Sequence, residues 1–238
     1  MINKMAKLSK RLKKSFELVS ENQVYSLDEA LQIVKKYAVE AKTKFDETVD
    51  VVFKLGVDPR QSDQMVRGVV AMPNGLGKQV RVAVFAKPER MEEAKKAGAD
   101  VVGGDDLVEE VKNGRLDFDL CIATPDMMVK VGTLGKVLGP KGMMPNPKLG
   151  TVSNDIAAAV KQAKSGQVEY KTEKAGLVHA GVGKVSFEES SLKENIIALY
   201  HALINAKPSS SKGVYMQKMH LSTSMGPSIP LDIQKVVS

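Results

Sequence analysis

Between residues 79 and 138 the chain alternates short apolar runs with short amphipathic helices, and few folds accept that pattern. "QVRVAVFA" (79–86), "ADVVGG" and "FDLCIAT" have the length and β-branched content of buried strands. "PERMEEAKKAG" reads as a helix, with Pro88 near its start and Gly98 at its stop. "DDLVEEVKNG" reads as a second, its aspartates at the positive end, and "PDMMVKVGTLGKVLG" as a third. Strand and helix taken in turn imply right-handed parallel crossovers. The segment is therefore expected to form a Rossmann-like three-layer α/β unit, a parallel sheet with helices on both faces.

The flanking segments read differently. In "YSLDEALQIVKKYA", Ser26 and Glu29 form a capping box, and Leu27, Ala30, Leu31, Val34 and Ala38 make the apolar stripe. In "TVDVVFKLGVDP", Val49, Val51, Phe53, Leu55 and Val57 share one face of a strand; Thr48, Asp50, Val52 and Lys54 share the other. Beyond residue 160 come the strands "QVEYK" and "LVHAGVGKVSF" and a helix stopped by Pro208. A last strand runs from about Gly213 to Met225. Neither flank buries a convincing core alone. Together they form a discontinuous α+β domain with a mostly antiparallel sheet. The expected division is 1–67 plus 160–238, with 68–159 inserted. The helix "NDIAAAVKQAKSG" is capped by Ser153 or Asn154, and the basic stretch from Lys4 to Val19 is a helix or a partly ordered arm.

Charge follows the same division. The chain has 35 Lys/Arg and 28 Asp/Glu, and 68–159 holds 12 of each, so the whole net charge of +7 falls on the remainder. A basic domain around a neutral insertion suggests a polyanionic partner.

Enzyme motifs are missing. No G-x-G-x-x-G follows the first strand of the insertion, and the carboxylates of "VVGGDD" would repel a phosphate. Asp117 and Asp119 read as exposed turn carboxylates, and His201 as packed or half exposed. Cys121 is the one cysteine, which excludes an internal disulfide, and it reads as a buried small hydrophobe. The expectation is a non-enzyme with no cofactor and no metal. No apolar run reaches membrane-spanning length and the basic N-terminus lacks a signal-peptide core, so the expected place is the cytoplasm.

Alternation along the last strand points Met216, Lys218, His220, Ser222 and Ser224 one way and Tyr215, Met219 and Leu221 the other. Lys184 and Ser186 likewise oppose Val185 and Phe187. A face rich in Lys, Ser, Thr and His suits phosphate and ribose oxygens. Gly226, with no side chain, leaves a backbone that RNA could approach closely. With 5% aromatics and no Trp, base stacking is not expected to dominate, which points to a folded RNA read by shape, with DNA as the open alternative.

Five stretches carry a resemblance: "KFDETVDVVFKLGVDPRQSDQMVRGVVAMPNGLGK" (44–78), "AGADVVGGDDL" (97–107), "LGKVLGPKGMMPNPKLGTV" (134–152), "GLVHAGVGKVSF" (176–187) and "STSMGPS" (222–228). In this order they resemble the family of ribosomal protein L-one of bacterial type, found in the mobile stalk of the large ribosomal subunit. The resemblance implies a two-domain fold of the discontinuous kind. It implies binding of large-subunit ribosomal RNA through the first domain, and of a similar structure in the protein's own operon messenger RNA, whose translation is repressed. It also implies contact with deacylated transfer RNA at the exit site, whose release it assists. Off the ribosome the chain is expected to be monomeric. The positions that match are Lys44, Phe45, Thr48, Lys218, Ser224, Met225 and Gly226. The family's Thr-Met-Gly stands here as Ser224-Met225-Gly226, and Lys218 replaces a residue that is often small and polar. Charge and alternation add His179, Lys184, Ser186 and Ser222 to the expected RNA surface.

Overall fold

The computed structural model describes residues 17–20, 23–41 and 43–236. Most of the basic stretch from Lys4 to Val19 lies outside the described residues. The first elements are α1 (Leu27–Ala41), β1 (Thr48–Leu55), β2 (Arg67–Ala71), β3 (Val82–Phe85), α2 (Pro88–Lys96), β4 (Val101–Gly103), α3 (Asp105–Lys112) and β5 (Leu120–Ala123). There follow α4 (Met128–Gly132), α5 (Gly135–Leu138), α6 (Ile156–Lys164), β6 (Gln167–Lys171), β7 (Leu177–Lys184), α7 (Glu189–Asn205), β8 (Met216–Thr223) and β9 (Ile229–Leu231).

Two compact units result. One joins the described residues up to Gly77 to those from Val168 onward, and the other is Lys78–Gln167. Counted over these units the net charges are +5 and +2, because Lys161 and Lys164 fall in the second.

The Lys78–Gln167 unit is a parallel sheet in the order β4-β3-β5. Alternation along β3 divides its core into two. Ala83 and Phe85 face Leu107 and Val111 of α3 and Leu134 and Leu138, while Val82 and Val84 face Ala94 of α2 and Ile156 and Val160 of α6. The sheet is thus covered on both faces, which is why its strands read as unbroken apolar runs. "PDMMVKVGTLGKVLG" is not one helix. It breaks into a 3-10 turn at Pro125–Met127, then α4, then α5. Gly132 and Gly135 weaken the helix there, and the Thr133 hydroxyl donates back to the Lys130 carbonyl at 2.7 Å instead of supporting a continuous ladder. The cap of α6 is Asp155, not Ser153 or Asn154; its carboxylate accepts the Ala158 N–H at 2.9 Å.

Cys121 lies in this core, and burial pushes its thiol up to about 12 from an ordinary 9.0. Unfolded chain ionises above pH 9.0 while folded chain keeps its proton to about 12, so stability is whole below 9.0 and falls across that window. Urea melts should show wild type losing roughly 1.4 kcal/mol per pH unit relative to Cys121→Ala above that onset. The native thiol should resist alkylation at pH 8; rapid modification of folded protein would refute its burial.

The other unit is built on an antiparallel sheet in the order β7-β1-β8-β9. Val49, Val51, Phe53 and Leu55 of β1 point into a core closed by Leu27, Leu31 and Val34 of α1 and Leu192, Ile196 and Leu199 of α7. Fully burying each such side chain contributes about 1.5–3 kcal/mol. The Ser26–Glu29 capping box forms as expected, with reciprocal bonds of 2.9 and 3.4 Å, and the backbone N–H of Ser26 holds the Glu29 carboxyl below its ordinary range. The buried residue in the last turn of the α1 stripe is Tyr37, while Ala38 is half exposed.

Three details depart from the reading of the sequence. "QVEYK" (β6) pairs with β2 in a separate two-stranded sheet. The last strand ends at Thr223, and β9 follows the turn, with Pro230 tolerated because it sits at a sheet edge. Finally, the β1–β8 register shifts between Lys54 and Leu55, so Met216, expected on the polar face, packs against the core. Among the described residues no helix is long and apolar enough to cross a membrane.

Candidate nucleic-acid interface

Both α1 and α7 pack on the inner face of the four-stranded sheet, so its outer face is laid out by register alone. Thr48 of β1 lies opposite Lys184 of β7. Asp50 lies between Gly181 and Ser222, Val52 between His179 and His220, and Lys54 between Leu177 and Lys218. Exposed Lys54, His179 and Lys218 crowd one end of this face, and Lys184, Thr48 and Ser224 the other. Lys54 and Lys218 face each other directly, a like-charge pair that costs stability unless an anion lies over it. Burial, then the charge of Lys218, pushes the His220 imidazole below its ordinary value. Burial raises the Asp50 carboxyl against the pull of Lys184 and His179.

The end at Thr48 is the more rigid. Lys184 Nζ donates to Thr48 Oγ1 at 2.8 Å and reaches the Asp46 carbonyl at 3.4 Å. The Thr48 N–H donates to Ser224 Oγ at 3.1 Å, and the Ser224 N–H returns to the Thr48 carbonyl at 3.1 Å. A β-turn follows, closed by the Gly226 N–H on the Thr223 carbonyl at 3.1 Å, with Ser224 and Met225 at its centre. Two buried side chains hold the backbone of Met225. Tyr37 donates its hydroxyl to the Met225 carbonyl at 2.7 Å, and Glu47 accepts the Met225 N–H at 3.1 Å. Met225 is 38% exposed.

Gly226 has a reason internal to the protein. A Cβ there would sit 2.3 Å from Thr223 Oγ1 and 3.2 Å from the Tyr37 ring, so the turn closes only around a glycine. Sequence reasoning assigns the bare backbone to RNA approach; the packing demands it first.

Lys44 and Phe45 are exposed in the segment leading into β1, with Phe45 at 53%. A groove of about 360 Å³ runs beside them, lined by Lys35, Val39, Phe45, Glu47, Val185 and Ser186. Ser186 is tied to Asp46, its hydroxyl donating at 2.6 Å and its N–H at 3.2 Å, so it fixes the loop. The structure therefore gathers Thr48, Lys184, Ser224, Met225 and Gly226 at one corner. Ser222 comes one register step inward, and His179 and Lys218 lie at the far end. His179 Nε2 is 3.8 Å from a Glu173 carboxylate oxygen.

Sequence reasoning misses Tyr37 and Glu47, although both leave a signal. Tyr37 follows Val34 by three residues on the α1 stripe, and Glu47 shares the parity of Val49 and Val51, which turns it inward. Elsewhere the candidates for chemistry are structural. Asp119 accepts from Lys78 and from the Arg81 N–H, both at 3.2 Å, and His201 is exposed with its ring edge-on to Tyr200. Among the described residues no three His, Cys, Asp or Glu side chains are placed to hold a metal ion.

Compared with protein families, residues 34–227 match the model described as the Ribosomal protein L1p/L10e family.

Proposed function

The chain belongs to the ribosomal protein L1p/L10e family, and from that premise we propose that the outer face of the β7-β1-β8-β9 sheet, with the Thr223–Gly226 turn at its corner, grips ribosomal RNA. Membership makes it a ribosomal protein of the large subunit, of a family that binds ribosomal RNA and is structural rather than enzymatic. The observation that carries the surface assignment is the grouping of cations at the two ends of this face. Lys54 and Lys218 face each other without an acid between them, and a rigid corner of Lys184, Thr48 and Ser224 closes the opposite end. Lysines there would neutralise phosphates, and the hydroxyls would bond phosphate or ribose oxygens. Lys44 and Phe45 extend this surface. On this reading the discontinuous unit is the RNA-binding domain and the Lys78–Gln167 unit an insertion.

The family resemblance also supports two finer roles: release of deacylated transfer RNA from the exit site, and repression of the protein's own operon messenger through the same face. The full chain should protect one region of large-subunit RNA from nuclease. Lys184→Ala should weaken that binding about three- to tenfold and lower its salt dependence by roughly one phosphate contact. It should weaken silencing of a reporter carrying the operon leader by the same factor. Unchanged protection and salt slope in Lys184→Ala would move the RNA surface elsewhere. Undiminished silencing by a variant that has lost ribosomal RNA binding would separate repression from this face.

A further inference from the structure

Asp50 stands in the middle of this cationic face, and among the described residues no side chain or backbone group bonds its carboxylate. The acids around it are engaged: Asp46 with Ser186, Glu47 with the Met225 N–H, and Glu173 beside His179. Among the described residues the Asp50 carboxylate has neither a hydrogen bond nor an ion pair. Lys184, the cation that pulls on it most, directs its ammonium to Thr48 Oγ1 instead. The neighbour on one side is Gly181, where a Cβ would meet Asp50 Oδ1 at 3.3 Å, so any larger residue would crowd the carboxylate. The neighbour on the other side is Ser222, whose hydroxyl is likewise without a bonded partner among the described residues.

We propose that Asp50, with Ser222 beside it, reads an uncharged hydrogen-bond donor of the bound RNA, a ribose 2′-hydroxyl or an exocyclic base amine, and is a specificity-determining residue of this face. The inference rests on the reading of the outer face as the RNA surface.

An ionised carboxylate only accepts hydrogen bonds, so it repels phosphate and pairs with a donor. Lysines attract any nucleic acid, whatever its sequence or sugar. A central acceptor changes what that attraction selects. On an RNA helix the accessible minor groove offers 2′-hydroxyls and the guanine amine, and DNA lacks the first. Partial burial has already removed some of the water from Asp50, which is why its carboxyl titrates high. A donor arriving there replaces lost hydration with a charge-assisted bond.

The test uses the full chain and the large-subunit RNA fragment that it protects from nuclease. Asp50→Ala should bind that fragment about ten- to a hundredfold more weakly, the range for a hydrogen bond to a charged group. Its binding to unrelated duplex RNA should stay the same or tighten. One 2′-deoxy or one inosine-for-guanosine replacement should cost wild type a similar factor and cost Asp50→Ala nothing more; the deoxy series identifies a ribose, the inosine series a base amine. Asp50→Asn, nearly isosteric, guards against misfolding and should fall between the two. Equal or tighter binding of the fragment by both variants would overturn the proposal and leave Asp50 a repulsive charge. If Lys184→Ala still weakens binding in that case, the face remains the RNA surface. If Lys184→Ala also changes nothing, the face itself is wrong.

Discussion

Met225→Asp weakens RNA binding by about 2–4 kcal/mol, thirty- to a thousandfold, while the melting temperature stays close to that of wild type. The two halves of this expectation come from different atoms of one residue. The backbone of Met225 is held at both ends, by Tyr37 on its carbonyl and Glu47 on its N–H, and neither bond involves the side chain. The residue itself is 38% exposed at the centre of the turn. Aspartate there keeps the fold and sets a negative charge where RNA phosphates would come; two like charges about 4 Å apart near a protein surface repel by roughly 4 kcal/mol before salt screening. Met225→Leu, which keeps the apolar surface, should bind within a few-fold of wild type. Filter-binding titrations at two salt concentrations, paired with thermal melts, check both halves. Normal binding by the Met225→Asp variant would remove this turn from the RNA surface.

Gly226→Ala should fail in the opposite way, losing stability and binding together. The added methyl group would lie 2.3 Å from Thr223 Oγ1, inside any tolerable contact. Thr223 is β-branched and buried, so its side chain has little freedom to turn aside. The turn must open, and opening it strains the bonds from Met225 to Tyr37 and Glu47. Overpacking of this kind costs about 1–3 kcal/mol. Thr223→Ala in the same chain removes the obstructing hydroxyl and should recover much of the loss; that hydroxyl has no hydrogen-bond partner of its own among the described residues. A Gly226→Ala protein as stable as wild type, or one that Thr223→Ala does not rescue, would contradict this account of the turn.

The strands of the proposed surface are legible because alternation is a local property. Val49, Val51 and Phe53 announce their face two residues at a time, and Thr48 and Lys54 follow on the other side. The capping box is legible for the same reason, since both its partners lie within one turn of helix. Contact between segments far apart in the chain cannot be read this way. Tyr37 reaches the Met225 carbonyl across 188 residues and Glu47 reaches the Met225 N–H across 178, and no sequence pattern ties those pairs. A register shift of one residue turns Met216 inward, which strict alternation cannot foresee. The role of Gly226 is legible as a need for a bare backbone but not as a clash with Thr223. Alternation assigns Asp50 to the right face, yet its lack of a bonded partner among the described residues emerges only when its neighbours are in place.

Of the two inner strands of the sheet, β1 is the first of all four strands to be synthesised. β1 ends at Leu55, and both strands that flank it lie beyond residue 176. The corner holding Thr48, Lys184 and Ser224 thus joins early and late chain, and its last part is made only when the growing chain has passed Gly226. Such distant pairings form late and at a high entropic cost. A nascent chain emerging from the ribosome therefore carries many of the basic residues of the surface without its geometry. On the proposed RNA surface, recognition would switch on only when β8 and its turn have been made and have docked on β1. A copy that terminates short of them is no competitor for the RNA that the finished protein binds.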